Sequence, residues 1–221
     1  AIRRFDNFAM KAWLEARTGL PVSVENDANC VLLAERWQGK AAEMANFLVL
    51  TIGTGIGGAI YCHHQLVHGA RFRAGEFGYM LTDRPGGRDP RRYSMNENCT
   101  LRVLRHRYAE HIAAPLESVT GEMIFDRYDA GDPVCQRLVA EFFNGLGHGL
   151  YNLVHIFDPQ TIFIGGGVVE RPGFLTLLRQ HLAWFGIADY LDTVSHGNDA
   201  GLIGAVYHFN QLYRSPDDDR H

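Results

Sequence analysis

Thr51-Ile52-Gly53-Thr54-Gly55-Ile56-Gly57-Gly58-Ala59-Ile60 is a glycine-rich turn set between two apolar runs. Phe47 to Leu50 lead into it and Gly58 to Cys62 lead out, a pattern that predicts strand, turn, strand. An ordinary hairpin needs one or two glycines. Gly53, Gly55, Gly57 and Gly58 together leave few side chains to shield the backbone N–H groups, so the tip has room for a phosphate. Thr51 and Thr54 add hydroxyl donors. The turn is not the GxxxxGK[ST] loop of P-loop enzymes, because no lysine follows and the exit is a strand. On this segment alone, a strained or bulged hairpin without a ligand is the alternative reading.

Working outward, 221 residues with 46% hydrophobic content suffice for a real core in one or two domains. The net charge is -4, and Lys and Arg are dispersed apart from 84–92 and 102–107. No basic face of the kind nucleic acid requires is expected, and nucleic acid is not an expected partner. Apolar runs are short and broken by Gly or His, and the first residues lack a charged start followed by an apolar run, so the expectation is a cytoplasmic protein without membrane attachment. Cys30, Cys62, Cys99 and Cys135 are far apart with no CxxC pair, which predicts reduced, buried thiols. His63, His64 and His68 fall where the hairpin turns and returns, without a carboxylate or cysteine at ligand spacing, so no metal site is expected there.

Apolar positions predict a helix over 5–17 closed by Gly19, then a strand over 21–24 running into Glu25-Asn26-Asp27-Ala28-Asn29, and a helix over 28–37. The Pro- and Gly-containing stretch 82–98 reads as a surface loop. Helices are predicted over 101–111, 134–157, 174–185 and 201–213, with a short buried strand over 161–164 opening into Gly165-Gly166-Gly167.

Polar residues at such junctions are the candidates for chemistry. Asp27, at a strand end beside Glu25, Asn26 and Asn29, suits a general base, though by position alone capping the following helix is its commoner use. Glu76, between Gly75 and Gly78, is a loop carboxylate able to accept paired hydroxyl donors from a polyol. Tyr79 offers an aromatic face and one hydroxyl nearby. Gly165 to Gly167 let a nucleotide approach the following helix, or only make a tight entry to it.

The strings VENDAN (24–29), TIGTGIGGAI (51–60), AGEFG (74–78), DPQTIFIGGGVV (158–169) and NDAGLIGAV (198–206) resemble, in this order, the ROK family of bacterial sugar kinases and repressors. The resemblance implies an α/β fold of the actin-like, ribonuclease-H-like type, with an incomplete first domain over 1–45 and a large nucleotide-binding domain over 46–221. It implies Asp27 as base towards the sugar 6-hydroxyl, Asn26 and Glu76 on sugar hydroxyls, Thr51, Gly53, Thr54 and Gly55 on ATP phosphates, and Gly165, Gly166 and Gly167 near the adenosine. ATP with Mg²⁺ is the implied co-substrate, a homodimer the implied assembly, and the substrate class that of members acting on cellobiose and other β-glucosides.

Two departures from the family pattern stand out. Many members carry His three residues after the sugar-binding Glu and then a CxCGxxGC zinc cluster; here Tyr79 stands in that place and Cys99 is the only downstream cysteine near it, so no structural zinc is expected. A further sugar-contacting glutamate corresponds to Glu97 or to its neighbour Asn96. The DxGGT string that opens family kinases is also absent, so the chain reads as a C-terminal portion, expected not to transfer phosphate by itself. Alternatives are a sugar-responsive repressor, disfavoured because neither a helix-turn-helix nor the zinc cluster is present, a kinase of free glucose or fructose, and a sugar-binding module without catalysis.

Overall fold

The computed structural model describes residues 8–84, 86–87 and 89–213. Helices α1 (Met10–Thr18) and α2 (Asp27–Gln38) precede the strands β1 (Phe47–Ile52), β2 (Ile56–Cys62) and β3 (Gln65–Leu66). Then come α3 (Met95–Asn98), α4 (Leu101–His111), α5 (Gly121–Asp129), α6 (Pro133–Phe157), β4 (Thr161–Gly165), α7 (Phe174–Leu182), β5 (Leu191–Thr193) and α8 (Ala200–Tyr213). The strands form one sheet in the order β3-β2-β1-β4-β5. The β1–β2 and β2–β3 pairs are antiparallel, and the β1–β4 and β4–β5 pairs are parallel.

Strand periodicity explains the layers. Leu48, Leu50 and Ile52 of β1, with Ile162 and Ile164 of β4, share a core with Leu138, Phe142, Phe143, Leu146 and Leu150 of α6. The alternate residues Phe47 and Val49, with Ala59, Tyr61 and Phe163, pack against Ala28, Leu32 and Leu33 of α2. Both faces of the sheet are therefore covered, which is why β1 is buried at five of its six positions rather than at alternate ones. Helix α2 thus belongs to the second of these clusters, and α8 packs across it, where a Cβ added at Gly204 would lie 1.7 Å from the Cys30 carbonyl oxygen.

The parallel register of β1 and β4 sets Thr51 opposite Gly165. The two glycine-rich segments therefore leave the carboxyl ends of neighbouring strands side by side, the place where open α/β sheets bind ligands.

Several expectations need correction. Residues 5–7 lie outside those described, and the first helix runs Met10–Thr18 with none of its residues buried, so its apolar stripe does not face a core. Residues 21–24 form no strand: the Val22 N–H donates to Glu15 Oε1 and the Val22 carbonyl accepts from Tyr213 Oη, so side chains serve where a ladder was expected. The 82–98 stretch, of which Pro85 and Arg88 lie outside the described residues, is only partly a surface loop. Met95 is fully buried at the start of α3, and Leu81 bridges to Ser94. Helix α5 was not expected at all. Leu202 and Val206 of α8 are 70% and 53% exposed, because Ala200 and Gly204 make the close contact instead. Cys62 is half-buried, whereas Cys30, Cys99 and Cys135 are buried; all four are free thiols.

Candidate active site

The polar cluster at the start of α2 is organised by Asn26. Its Oδ1 accepts from the Ala28 and Asn29 N–H groups at 2.9 and 3.2 Å, making Asn26 the N-cap and leaving its amide NH₂ free to donate outward. Asp27 is thereby released from capping. It is the first helical residue, exposed, and its Oδ1 accepts only from the Ala28 N–H at 2.9 Å. Neither reading of Asp27 from the sequence anticipated that its neighbour is the cap.

Behind Asp27, Glu25 is fixed. Its side chain, 9% exposed, accepts from Asn29 Nδ2, the Asn26 N–H and His68 Nε2, each at 2.8 Å, and His208 Nε2 lies 3.8 Å away. Burial works to raise the Glu25 carboxyl, but the bonds from Asn29, His68 and the Asn26 backbone outweigh it and hold the group below its ordinary value. Asn29 gives its amide to Glu25, and its buried Oδ1 has no hydrogen-bond partner.

Glu76 reaches the same place from the other side. Gly75, at φ +85°, presses so closely on β2 that a Cβ there would lie 2.4 Å from the Gly58 carbonyl oxygen. The chain then turns through a short 3-10 segment, Phe77–Tyr79, whose Phe77 is buried and whose preceding Glu76 side chain is exposed. Asn26, Asp27, Asn29, Gly57, Gly58, His68, Phe72 and Glu76 line one cleft of about 230 Å³. The expected base, Asp27, and two of the expected sugar ligands, Asn26 and Glu76, thus share a cleft with the inner end of the glycine hairpin.

None of the four hairpin glycines has positive φ, so space and not backbone conformation accounts for them. Gly57 and Gly58 are required by packing: a Cβ would lie 2.6 Å from Thr51 Oγ1 at the first and 2.1 Å from Phe77 Cδ2 at the second. Gly53 and Gly55 are less crowded: an added Cβ would make an ordinary 3.9 Å contact with the Gly55 carbonyl oxygen at the first and a tighter one of 3.3 Å with Asn96 Oδ1 at the second. The Gly53 N–H donates to the Gly55 carbonyl at 2.9 Å, while the N–H groups of Thr54 and Gly55 have no acceptor among the described residues. These two, with the exposed Thr54 hydroxyl, are the donors a phosphate could use.

In the neighbouring segment, Gly166 has φ +106° and its Cβ would meet the Ile52 carbonyl oxygen at 2.1 Å, which locks it against the end of β1. Gly165 packs on Val194, and Gly167 has nothing within 4 Å. Gly167 and Val168 border a second cavity of about 700 Å³ reaching Leu101, Gly121, Glu122 and Arg171, within the range of about 300–1,000 Å³ usual for small-molecule sites.

Two candidates stand apart. Tyr79 is 66% exposed and does not line the cleft. Glu97 is turned to Arg102, with Oε1 3.1 Å from Nη2. Its competitor Asn96 is the one against the hairpin, its Oδ1 accepting the Ile56 N–H at 2.8 Å. His68 is missed by the sequence reading as a cleft residue, since only a long-range contact with Glu25 reveals it. Among the described residues no cluster of three or more His, Cys, Asp or Glu could hold a metal ion, and no helix is long and apolar enough to cross a membrane.

The ROK family profile matches residues 2–211. This chain belongs to the ROK family. Among curated ROK proteins, the β-glucoside kinase of Klebsiella pneumoniae is 96% identical over 221 residues, covering 100% of this chain and 74% of that protein. The β-glucoside kinase of Listeria monocytogenes is 58% identical over 96% of this chain and 72% of its own length. The solved ROK glucokinase of Streptomyces griseus, in complex with glucose and AMPPNP, superposes with a TM-score of 0.75 at 25% identity, over 90% of this chain and 71% of that one. The fold is accordingly the actin-like, ribonuclease-H-like fold of ROK sugar kinases.

Proposed function

We propose that this protein transfers the γ-phosphoryl group of ATP to the 6-hydroxyl of a β-glucoside such as cellobiose. The observation that carries this reading is the shared cleft: an exposed carboxylate, Asp27, faces a second one, Glu76, beside a hairpin with free N–H donors. The names and high identity of the Klebsiella and Listeria relatives support the substrate class. A repressor reading has no observation in its favour.

In this reading Glu76 and the Asn26 amide hold hydroxyls of the sugar. Asp27 accepts the proton of the 6-hydroxyl as the bond to phosphorus forms, and orients that oxygen in line with the leaving ADP. The Thr54 and Gly55 N–H groups, with the Thr51 and Thr54 hydroxyls, meet the charge on the phosphates, while Gly53 gives them room. Gly165 to Gly167 and the adjoining cavity receive the nucleoside. Mg²⁺ enters with ATP as part of the substrate, since it binds mainly through phosphates, waters and one or two carboxylates. Residues 1–45 are read as the remnant of a first domain and 46–221 as the large nucleotide-binding domain, with sugar and ATP held between the two. A homodimer in the cytoplasm completes the reading.

The test measures ADP release with cellobiose, glucose and fructose, using the protein at the full length of the relatives, and locates the phosphate on the product. Transfer to the 6-hydroxyl of cellobiose with preference over glucose is expected. A preference for a free hexose refutes the β-glucoside assignment, and no transfer to any sugar refutes the kinase reading.

A further inference from the structure

An aromatic ring stands at the cleft that phosphoryl transfer alone does not require. Phe72 lines the same cleft as Asp27 and Glu76 yet is 81% exposed. Its backbone has φ +53°, the left-handed region that bulky residues avoid and that persists mainly where the surroundings impose it at functional sites. The loop imposes it. Gly69 turns at φ +73°, its carbonyl accepts the Phe72 N–H at 3.4 Å, and the His68 carbonyl accepts the Ala74 N–H at 3.1 Å.

The ring is also braced. It meets His68 edge to face, with centroids 5.5 Å apart and planes at 61°, and His68 is held to the buried Glu25 at 2.8 Å. One edge is therefore fixed while most of the ring meets water. Arg71 and Arg73 on either side are exposed. Exposure alone would not single out this ring, since Trp184 and Leu202 are nearly as open; its place on the cleft, its left-handed backbone and its brace on His68 do.

Volume indicates which occupant. At about 230 Å³ the cleft falls below the range of about 300–1,000 Å³ that encloses larger ligands, so one sugar ring fills it and anything joined to that ring must emerge. We propose that Phe72 is the stacking platform for the aglycone of a β-glucoside, the group on the first carbon of the glucose that the cleft holds, with Arg71 and Arg73 donating to hydroxyls of a second sugar ring. The apolar C–H face of a pyranose covers an aromatic ring, and a ring braced at one edge has less freedom to lose on binding. Free glucose carries nothing at that position, so Phe72 discriminates between the two substrates.

This inference rests on the sugar-kinase reading, and the test separates them. Binding of cellobiose and of glucose is measured by calorimetry, and KM for each by ADP release, for wild type, Phe72→Ala and Phe72→Trp at the full length of the relatives. Phe72→Ala is expected to weaken cellobiose binding and raise its KM about three- to tenfold, with glucose binding, KM for ATP and kcat within about twofold of wild type. Phe72→Trp is expected to restore cellobiose affinity. Wild type that binds cellobiose while Phe72→Ala binds it equally well overturns the aglycone platform and leaves the kinase reading standing. Equal losses for glucose and cellobiose overturn it as well, since Phe72 then shapes the glucose pocket. Wild type that binds neither sugar overturns both.

Discussion

Gly58→Ala should damage both stability and sugar binding. Gly58 sits in β2 opposite Leu50, and its added Cβ would lie 2.1 Å from Phe77 Cδ2, 2.6 Å from Phe77 Cε2 and 2.6 Å from the Gly75 carbonyl oxygen. Phe77 is 5% exposed and packed in the main core, so the ring has nowhere to swing, and a backbone oxygen cannot rotate away. Segment 75–77 has to move off the sheet and take Glu76 with it. Overpacking of this kind costs about 1–3 kcal/mol, and a contact with backbone belongs at the upper end. Alanine recovers about 0.5–1 kcal/mol over glycine in a strand, which leaves a net loss of about 2 kcal/mol. At about 2–4 °C per kcal/mol for a chain of this size, Tm should fall by about 4–8 °C. Gly55→Ala is the control: its Cβ meets only Asn96 Oδ1, at 3.3 Å, so Tm should hold within about 2 °C while KM for ATP rises. Thermal denaturation and sugar calorimetry on both variants decide the matter. Wild-type Tm and sugar affinity in Gly58→Ala, or a larger loss in Gly55→Ala, would refute the reasoning.

Three further outcomes follow from the same geometry. Asn96→Ala leaves the Ile56 N–H without its acceptor and should lower stability by about 1–3 kcal/mol in urea unfolding, whereas Glu97→Gln, which touches only the half-exposed Arg102, should leave stability and sugar affinity nearly unchanged. Alkylation at pH 8 of the native protein should modify Cys62 first, because burial pushes Cys99 up to about 12 and Cys30 up to about 11; mass mapping that finds Cys99 labelled first would contradict this. The Glu25 carboxyl is depressed on folding, so its contribution to stability is full above the ordinary value of 4.5 and is lost as pH falls through the lower folded value. The stability gap between wild type and Glu25→Gln should therefore narrow below pH 4.5, and a constant gap would contradict the assignment.

The sequence disclosed those parts of the fold that rest on local pattern. The hairpin around residues 51–60, the helices at 101–111 and 134–157 and the strand before Gly165 stand where period and caps predict them, because burial on both sheet faces and Asp132, Pro133 and Asp158 at the ends of α6 leave little alternative. Strand 21–24 failed because a strand is defined by a partner, and propensity does not supply one. Which face of α8 packs was not legible either: the small residues Ala200 and Gly204 make the close approach to α2, while the larger Leu202 and Val206 stay exposed. At the site, Asp27, Asn26 and Glu76 could be picked out by residue type and position. The capping role of Asn26, the Glu25–His68 bond across 43 residues and the choice of Asn96 over Glu97 at the hairpin could not, because each depends on contacts that only folding creates.

In the proposed reaction Asp27 takes the proton of a sugar hydroxyl during phosphoryl transfer. Asp27→Asn keeps the shape of the side chain and its bond from the Ala28 N–H, but an amide oxygen is a far weaker base than a carboxylate. The most direct measurement pairs ADP release with cellobiose calorimetry on wild type and Asp27→Asn at the full length of the relatives. The account predicts a kcat reduced at least about 100-fold, with cellobiose affinity within a few-fold of wild type. Turnover near wild type in Asp27→Asn, with sugar still bound, would contradict it.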